Sequence, residues 1–218
     1  MVRMIERYRS RTRFLHWTNL CAFMLLLLTG MVLFVPPLWG VAAQGSWTRL
    51  FHRVGAVVFI AGPLIFAVVN WRATLESVKE AFNWGPDDIG WLKAAPRYYF
   101  LNDERAMPPQ EHMNTGQKMW WLIVLFTGVV FGVSGGLMWI GKTTLPSGVL
   151  QWSVFAHDVA YIVVLPMFFV HIYLSVLHPL MTGVWRSMLA DGKVPAEYVK
   201  SHHARWYARI SGKQAESE

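Results

Sequence analysis

Four long, nearly charge-free apolar runs constrain this chain more than any other feature. Trp17–Leu38, Val54–Trp71 and Met119–Gly141 contain no charged residue, and Leu145–His178 contains only Asp158. A helix rises about 1.5 Å per residue, so each run is about long enough to cross a hydrocarbon core of roughly 30 Å. A helix buried in a water-soluble core needs only about ten to fourteen such residues. The expectation is an all-α membrane protein with spans at about 15–38, 52–72, 118–141 and 147–178, a loop over 73–117 and a tail over 179–218, read as one domain over 1–218. The first run is too long for the apolar region of a signal peptide, and "MVLFVPPLWG" offers no small-x-small cleavage site, so it reads as a retained span.

The 218 residues carry a formal net charge of +7, which in a soluble protein would suggest an acidic partner such as nucleic acid. The placement of the charge says otherwise. Seventeen of the twenty Lys and Arg residues lie before the first apolar run, between the second and third, or after the fourth; only Arg49, Arg53 and Lys142 lie in the other two loops. Under the positive-inside rule this puts both termini and the 73–117 loop in the cytoplasm. The outer loops, "PPLWGVAAQGSWTRLF" and "KTTLPSGV", are short, and short loops force antiparallel neighbours, which predicts an up-down four-helix bundle. Pro63 and Pro166 fall inside spans two and four, where each removes a backbone donor and kinks its helix. In the cytoplasmic loop, "PDDIGWLKAAPRYYF" predicts a short helix capped by its aspartate pair, and the tail is polar, basic and aromatic. The sequence shows no internal repeat. Cys21, the single cysteine, can form no internal disulfide and cannot supply an iron–sulfur cluster, so such chemistry belongs to a partner.

Of eight histidines, His112, His202 and His203 fall in loop or tail, where solvent is expected, and His178 falls at the interface after span four. The other four stand at matched depths. His16 in span one and His171 in span four lie toward the cytoplasm, while His52 in span two and His157 in span four lie toward the outside. His157 and His171 are fourteen residues apart, which on one helix is about 21 Å of rise and about 40° of azimuth. Two imidazoles at one depth on facing helices are what a haem iron held on both sides requires, and a bundle interior is where such sites are built. With both axial positions filled, the expected work is electron transfer across the membrane. A proton relay is the rival reading, because histidine titrates near neutrality. A relay recruits acids along its path, however, and Asp158 is the only acid in a span. Haem propionates need cations near each surface, and Arg49 and Arg53 beside His52, with Arg11 and Arg13 before His16, are the candidates; ordinary topology arginines are the simpler reading for any one of them. Gly30, Gly55, Gly62, Gly128, Gly132, Gly135 and Gly136 suit close helix packing or room for a flat macrocycle.

The ordered set "HW" at His16–Trp17, "LFHRVGAVVF" around His52, "DDIGWLKAAPRYY", "NTGQK" at Asn114–Lys118, "FAHDVAYIVVLPMFFVHIY" and "HHARWY" resembles, over nearly the whole chain, the gamma subunits of membrane-bound respiratory formate dehydrogenases. These are dihaem cytochromes b556. The resemblance implies that His52 and His157 ligate the iron of an outer haem b and that His16 and His171 ligate that of an inner one. It implies a menaquinone or ubiquinone site beside the inner haem, formed by His171, Asn114, Gly116 and Gln117. From the residues alone, "NTGQK" reads equally as a helix start capped by Asn114, and Trp120 and Trp121 read as membrane-belt residues. The resemblance further implies an iron–sulfur beta subunit and a molybdenum or tungsten alpha subunit on the outer face of a bacterial inner membrane, with a trimer of heterotrimers as one assembly. Formate would be oxidised on the alpha subunit. Two other readings stand beside this one: the cytochrome of a hydrogenase or thiosulfate reductase complex, and a haem-free anchor or proton channel.

Overall fold

The computed structural model describes residues 2–41, 46–101, 103, 105–178 and 182–215, with the side chains of 182–183 and 213–215 also outside the description. Helices dominate: α1 (Ser10–Phe34), α2 (Trp47–Val69), α3 (Trp71–Phe82), α4 (Pro86–Leu101), α5 (Thr115–Ile140), α6 (Ser147–Ile172), α7 (Thr182–Leu189), α8 (Ala196–His202) and α9 (Ala204–Ala215). Strands β1 (Met4–Glu6) and β2 (Lys193–Pro195) pair antiparallel. Helices α1, α2, α5 and α6, the last continued by a π-helical turn at Tyr173–Leu177, are long and apolar enough to cross a membrane. In the most apolar 18-residue window of these spans only 6–17% of the residues are buried against protein. Side chains such as Leu28, Val57, Val68, Val129 and Phe169 point outward instead. Such surface is stable only with lipid as the solvent, and the chain is an integral membrane protein.

The helix ends depart from the expected span boundaries for local reasons. Span one was expected to reach residue 38, but α1 stops at Phe34 because Pro36 and Pro37 carry no backbone donor; residues Pro36–Leu38 form a 3-10 turn instead. Helix α2 begins at Trp47, five residues before the expected start, because Ser46 caps it by accepting the Arg49 N–H at 3.5 Å. His52 therefore lies more than a turn inside α2. Residues 42–45, in the loop expected to be the first outer one, lie outside the described set. Pro63 and Pro166 fall inside α2 and α6 as expected.

The chain resolves into two compact units. One comprises Arg11–Thr74 and Leu125–Leu165. In it α1 runs antiparallel to α2, with Gly55 against Leu25 and Leu26, Phe23 against Phe59, and Gly62 against Asn19 and Leu15. Helix α2 runs antiparallel to α5 in turn, through Ile60 at Gly132 and the Arg53 guanidinium 5.5 Å from the Trp139 ring. Phe34 of α1 meets Tyr161 of α6 at 5.5 Å. Each small residue at these crossings lets a bulky neighbour sink in, the usual device where lipid supplies no hydrophobic drive between helices.

The other unit comprises Met1–Ser10, Leu75–Val124 and Pro166–Glu218. Its ribbon pairs Met4 with Pro195, Ile5 with Val194 and Glu6 with Lys193. Gly192 turns the chain into β2 at φ 82°, where a side chain would be strained, and its carbonyl accepts the N–H groups of Arg7 and Tyr8 at 2.8 and 3.0 Å. Val194, Val199 and Trp206 form a small core with Ile5 and Tyr198. The short helix expected in "PDDIGWLKAAPRYYF" is α4. Asp88 caps it by accepting the Gly85 N–H at 2.9 Å, while Asp87 pairs with Arg205 of α9.

Candidate functional site

His52 and His157 face each other across the first unit, with ring centroids 6.3 Å apart and planes inclined by 54°. Two imidazoles gripping one metal ion from opposite sides, through bonds of about 2 Å, hold their centroids about 6 Å apart. The observed spacing fits that requirement. Thr29 Oγ1 on α1 lies 2.9 Å from His52 Nδ1, and Ser134 Oγ on α5 lies 2.9 Å from His157 Nδ1. Each hydroxyl donates its only proton to the carbonyl four residues back, Leu25 O and Val130 O, at 2.6 Å in both cases. Each therefore accepts from its histidine, which places the imidazole proton on Nδ1. The Nε2 atom of each ring has no hydrogen bond to a described residue and keeps its lone pair for a metal.

Gly30 and Gly135 follow the two hydroxyl residues directly. A methyl group built on Gly30 would lie 3.6 Å from His52 Cε1, and one on Gly135 would lie 3.5 Å from His157 Cε1. Those are ordinary contacts, so the imidazoles alone do not require glycine there. The missing methyl groups leave room beside each ring.

Thr29 and Ser134 were not singled out from the sequence, yet a signal for them exists, and it corrects the expectation that the chain lacks a repeat. His52 and His157 are 105 positions apart, and so are Thr29-Gly30 and Ser134-Gly135, Trp47-Thr48 and Trp152-Ser153, and Val54 and Val159. Each histidine stands 23 residues after its hydroxyl partner. The hairpins α1–α2 and α5–α6 thus share a pattern in which a hydroxyl–glycine pair on the first helix meets a histidine on the second. Few positions are kept, and those that touch the imidazoles are the hydroxyl and the glycine, which is why the similarity is faint.

His16 and His171, expected toward the cytoplasm, fall in different units. His16 lies in α1, edge-on to Trp17 at 5.4 Å. Three residues on, Asn19 Oδ1 is buried and accepts no hydrogen bond from a described residue. His171, near the end of α6, stacks on Trp120 at 4.5 Å and 10°. Trp120 is thus more than a belt residue.

Trp120 also ties His171 to the start of α5. Residues three and four apart share a helix face, so Gly116, Gln117 and Trp120 are neighbours. Asn114 caps α5 by accepting the Gln117 N–H at 2.9 Å, and Gln117 Oε1 accepts the Asn114 N–H at 3.0 Å, a reciprocal capping box. Arg7 donates to Gln117 Oε1 at 3.3 Å. The cap uses both amide oxygens and leaves both NH2 groups as donors. Gly116 packs under Trp91, where a methyl group would come within 2.9 Å of the Trp91 ring.

Beneath this helix start lies a buried polar network that sequence reasoning missed. Lys118 Nζ donates to Asp88 Oδ1 and Oδ2 at 2.9 and 3.1 Å and to Asn83 O at 2.8 Å. Thr115 donates its hydroxyl to Asp88 Oδ1 at 2.8 Å and its N–H to Gln110 Oε1 at 2.9 Å. Burial alone would raise the Asp88 pKa, but hydrogen bonds from Lys118, Thr115 and Gly85 together hold it below the usual carboxylate range.

Three histidines expected in solvent or at the interface are more enclosed than that. His203 is 1% exposed, because Val199 and Trp206 pack the tail around it, and its Nδ1–H donates to Glu111 O at 2.6 Å. His178 is equally buried, 3.2 Å from Tyr99 O. His112 is half-buried against Arg7 and Trp206; burial first and the Arg7 charge second push its pKa down to about 4.

The four arginines expected as counter-charges lie near the starts of α1 and α2. Arg49 and Arg53 occupy the first two turns of α2, with Arg53 over Trp139. Arg11 and Arg13 occupy the first turn of α1, with Arg11 3.4 Å from Asn70 Oδ1. Asp158 follows His157 on α6 without an ion pair among the described residues.

The family of prokaryotic cytochrome b561 matches residues 7–191. The chain is 28% identical to the cytochrome b556(Fdn) subunit of the nitrate-inducible formate dehydrogenase of Escherichia coli K12, covering 99% of this chain and 96% of that one. It is 27% identical to the cytochrome b556(fdo) subunit of a formate dehydrogenase of the same strain, over 94% and 93% of the two chains. The formate dehydrogenase cytochrome b556 subunit of Haemophilus influenzae is 25% identical over 93% of this chain and 82% of that one. A cytochrome b implies haem b. Two imidazoles at the spacing of opposed ligands, each with a bare Nε2 and a glycine beside it, fit that group.

Proposed function

The chain belongs to the prokaryotic cytochrome b561 family, and from that premise we propose that it is the membrane-embedded cytochrome b subunit of a formate dehydrogenase. In this reading it is a single-domain, up-down four-helix bundle in a bacterial cytoplasmic membrane, with both termini on the cytoplasmic side. It joins an outer-face iron–sulfur subunit, itself bound to a molybdenum or tungsten catalytic subunit, to a quinone pool. Haem b, when bound, supplies a one-electron couple with no open coordination position for oxygen or substrate.

The chain's own residues then divide the work. His52 and His157 hold one haem on the outer side, with Arg49 and Arg53 as propionate counter-charges. His16 and His171 hold a second on the inner side, with Arg11 and Arg13 in the same role. Asn114, Gly116, Gln117 and His171 receive menaquinone or ubiquinone. The amide NH2 groups that the α5 cap leaves over suit its carbonyl oxygens, and Gly116 keeps the helix start open. The observation that carries the reading is the His52–His157 pair, at a metal-gripping separation with both Nδ1 atoms already engaged.

Stopped-flow spectroscopy on the purified complex tests it. Formate should reduce the b-type haem, and added quinone should reoxidise it. Reduction by hydrogen and not by formate would assign the donor to a hydrogenase instead. A complex with no haem would leave only an anchor or proton channel.

A further inference from the structure

The twin hydroxyl contacts reach beyond ligand identity. An imidazole in a span can carry its proton on either nitrogen and can turn about its side-chain bonds. A metal ligand needs one tautomer and one orientation. Thr29 and Ser134 settle both at once, because each is itself fixed. Its proton is committed to a backbone carbonyl at 2.6 Å, so its oxygen is an acceptor only, aimed at Nδ1 from 2.9 Å. Both hydroxyl residues are nearly enclosed, Thr29 at 9% and Ser134 at 4% exposure, so water does not compete readily for either contact.

We propose that Thr29 and Ser134 are positioning residues for His52 and His157, a matched pair of neutral acceptors that hold both imidazoles with Nε2 bare and jointly set the redox potential of the haem between them. This rests on the reading that the pair ligates a haem. An acceptor on Nδ1–H makes the imidazole a better electron donor and so stabilises ferric over ferrous iron. A carboxylate would do this strongly. A hydroxyl does it mildly, and its shape matches the neutral, apolar surroundings. The chain uses the same neutral device on both sides, built from the same hydroxyl–glycine step 105 positions apart, so neither ligand is favoured.

The test uses the purified complex with four variants: Thr29→Val and Ser134→Ala, which remove the acceptor, and Thr29→Ser and Ser134→Thr, which keep it. The readouts are haem content, an optical redox titration of the outer haem, and the electron paramagnetic resonance of its ferric low-spin form. Thr29→Val and Ser134→Ala should each raise the ferrous-to-ferric ratio at a fixed potential about fivefold, the equilibrium weight of one ordinary hydrogen bond. The two effects should add in the double variant, and the ferric spectrum should move with them. Thr29→Ser and Ser134→Thr should match wild type. Loss of the outer haem in Thr29→Val, whose side chain has the shape of threonine, with full haem in Thr29→Ser, would support the same role.

The proposal is overturned if Thr29→Val and Ser134→Ala keep the haem with potential and spectrum unmoved. It is equally overturned if the hydroxyl-bearing variants behave like the others, since packing and not the acceptor would then be at work. Failure of the underlying haem reading is separable, because wild type itself would then lack an outer haem.

Discussion

Replacing Lys118 by methionine removes the cation that pairs with Asp88 in the buried network. Asp88 is 6% and Lys118 7% exposed, and three of the contacts that enclose them originate at Lys118 Nζ. Without the ammonium, the Asp88 carboxylate keeps only the Thr115 hydroxyl and the Gly85 N–H. Breaking a buried ion pair from one side costs about 3–5 kcal/mol. Amide hydrogen exchange over α4 and the start of α5 reads this locally. About 3 kcal/mol lowers protection there by about two orders of magnitude. The Lys118→Met/Asp88→Asn double variant should recover much of that, because the stranded charge is gone; a coupling of about 2 kcal/mol is expected. The pH response gives a sharper signature. In wild type the Asp88 pKa is held low, so its stabilisation is intact above its unfolded value of about 4 and disappears only as pH falls through the lower folded value. In Lys118→Met burial dominates and raises the folded pKa, so stability is lost as pH rises through it. Relative to wild type, the variant should therefore gain protection between pH 7 and pH 5. Protection within threefold of wild type at pH 7, or a difference that ignores pH, would refute the account of this network.

Other expectations follow from the same helix start. Gly116→Ala puts a methyl group 2.9 Å from the rigid Trp91 ring and should cost about 1–3 kcal/mol, read by thermal unfolding in detergent; an unchanged midpoint would mean that the ring moves freely. Asn114→Ala removes both the α5 cap, worth about 1 kcal/mol, and the amide donor. Asn114→Asp keeps the cap oxygen and loses the donor. Slow quinone turnover in both variants, with formate reduction of the haem intact in stopped flow, marks a quinone contact; a defect in alanine alone marks the cap. A reporter fused after residue 218 should register the cytoplasm, as the distribution of basic residues demands.

The four spans were legible because absence of charge over twenty residues admits few other readings. Their ends were not, since one serine cap at Ser46 and one proline pair at Pro36–Pro37 move a helix boundary by four or five residues. The histidine pairs were legible as chemistry, because an imidazole in lipid demands an explanation. Their hydroxyl partners were hidden, since Ser and Thr that bond their own helix backbone are common in spans, and only the constant 105-residue offset sets Thr29 and Ser134 apart. The burial of His203 could not be read, because it depends on the tail folding back to pair β2 with β1 and to bring α8 and α9 beside it, and that of His178 depends on Tyr98 and Tyr99 of α4 packing against it. Asn114 was legible as either cap or contact, and the structure makes it a cap through its oxygen.

The claim at the centre is that His52 and His157 grip one iron from opposite sides. The direct measurement is haem b per chain, by pyridine haemochrome with protein quantitation, in the wild-type complex and in His52→Ala and His157→Ala variants. The account predicts two haems in wild type and one in each variant, with the same spectral component missing from both. Two haems retained in either variant, or a different component lost from each, would contradict it.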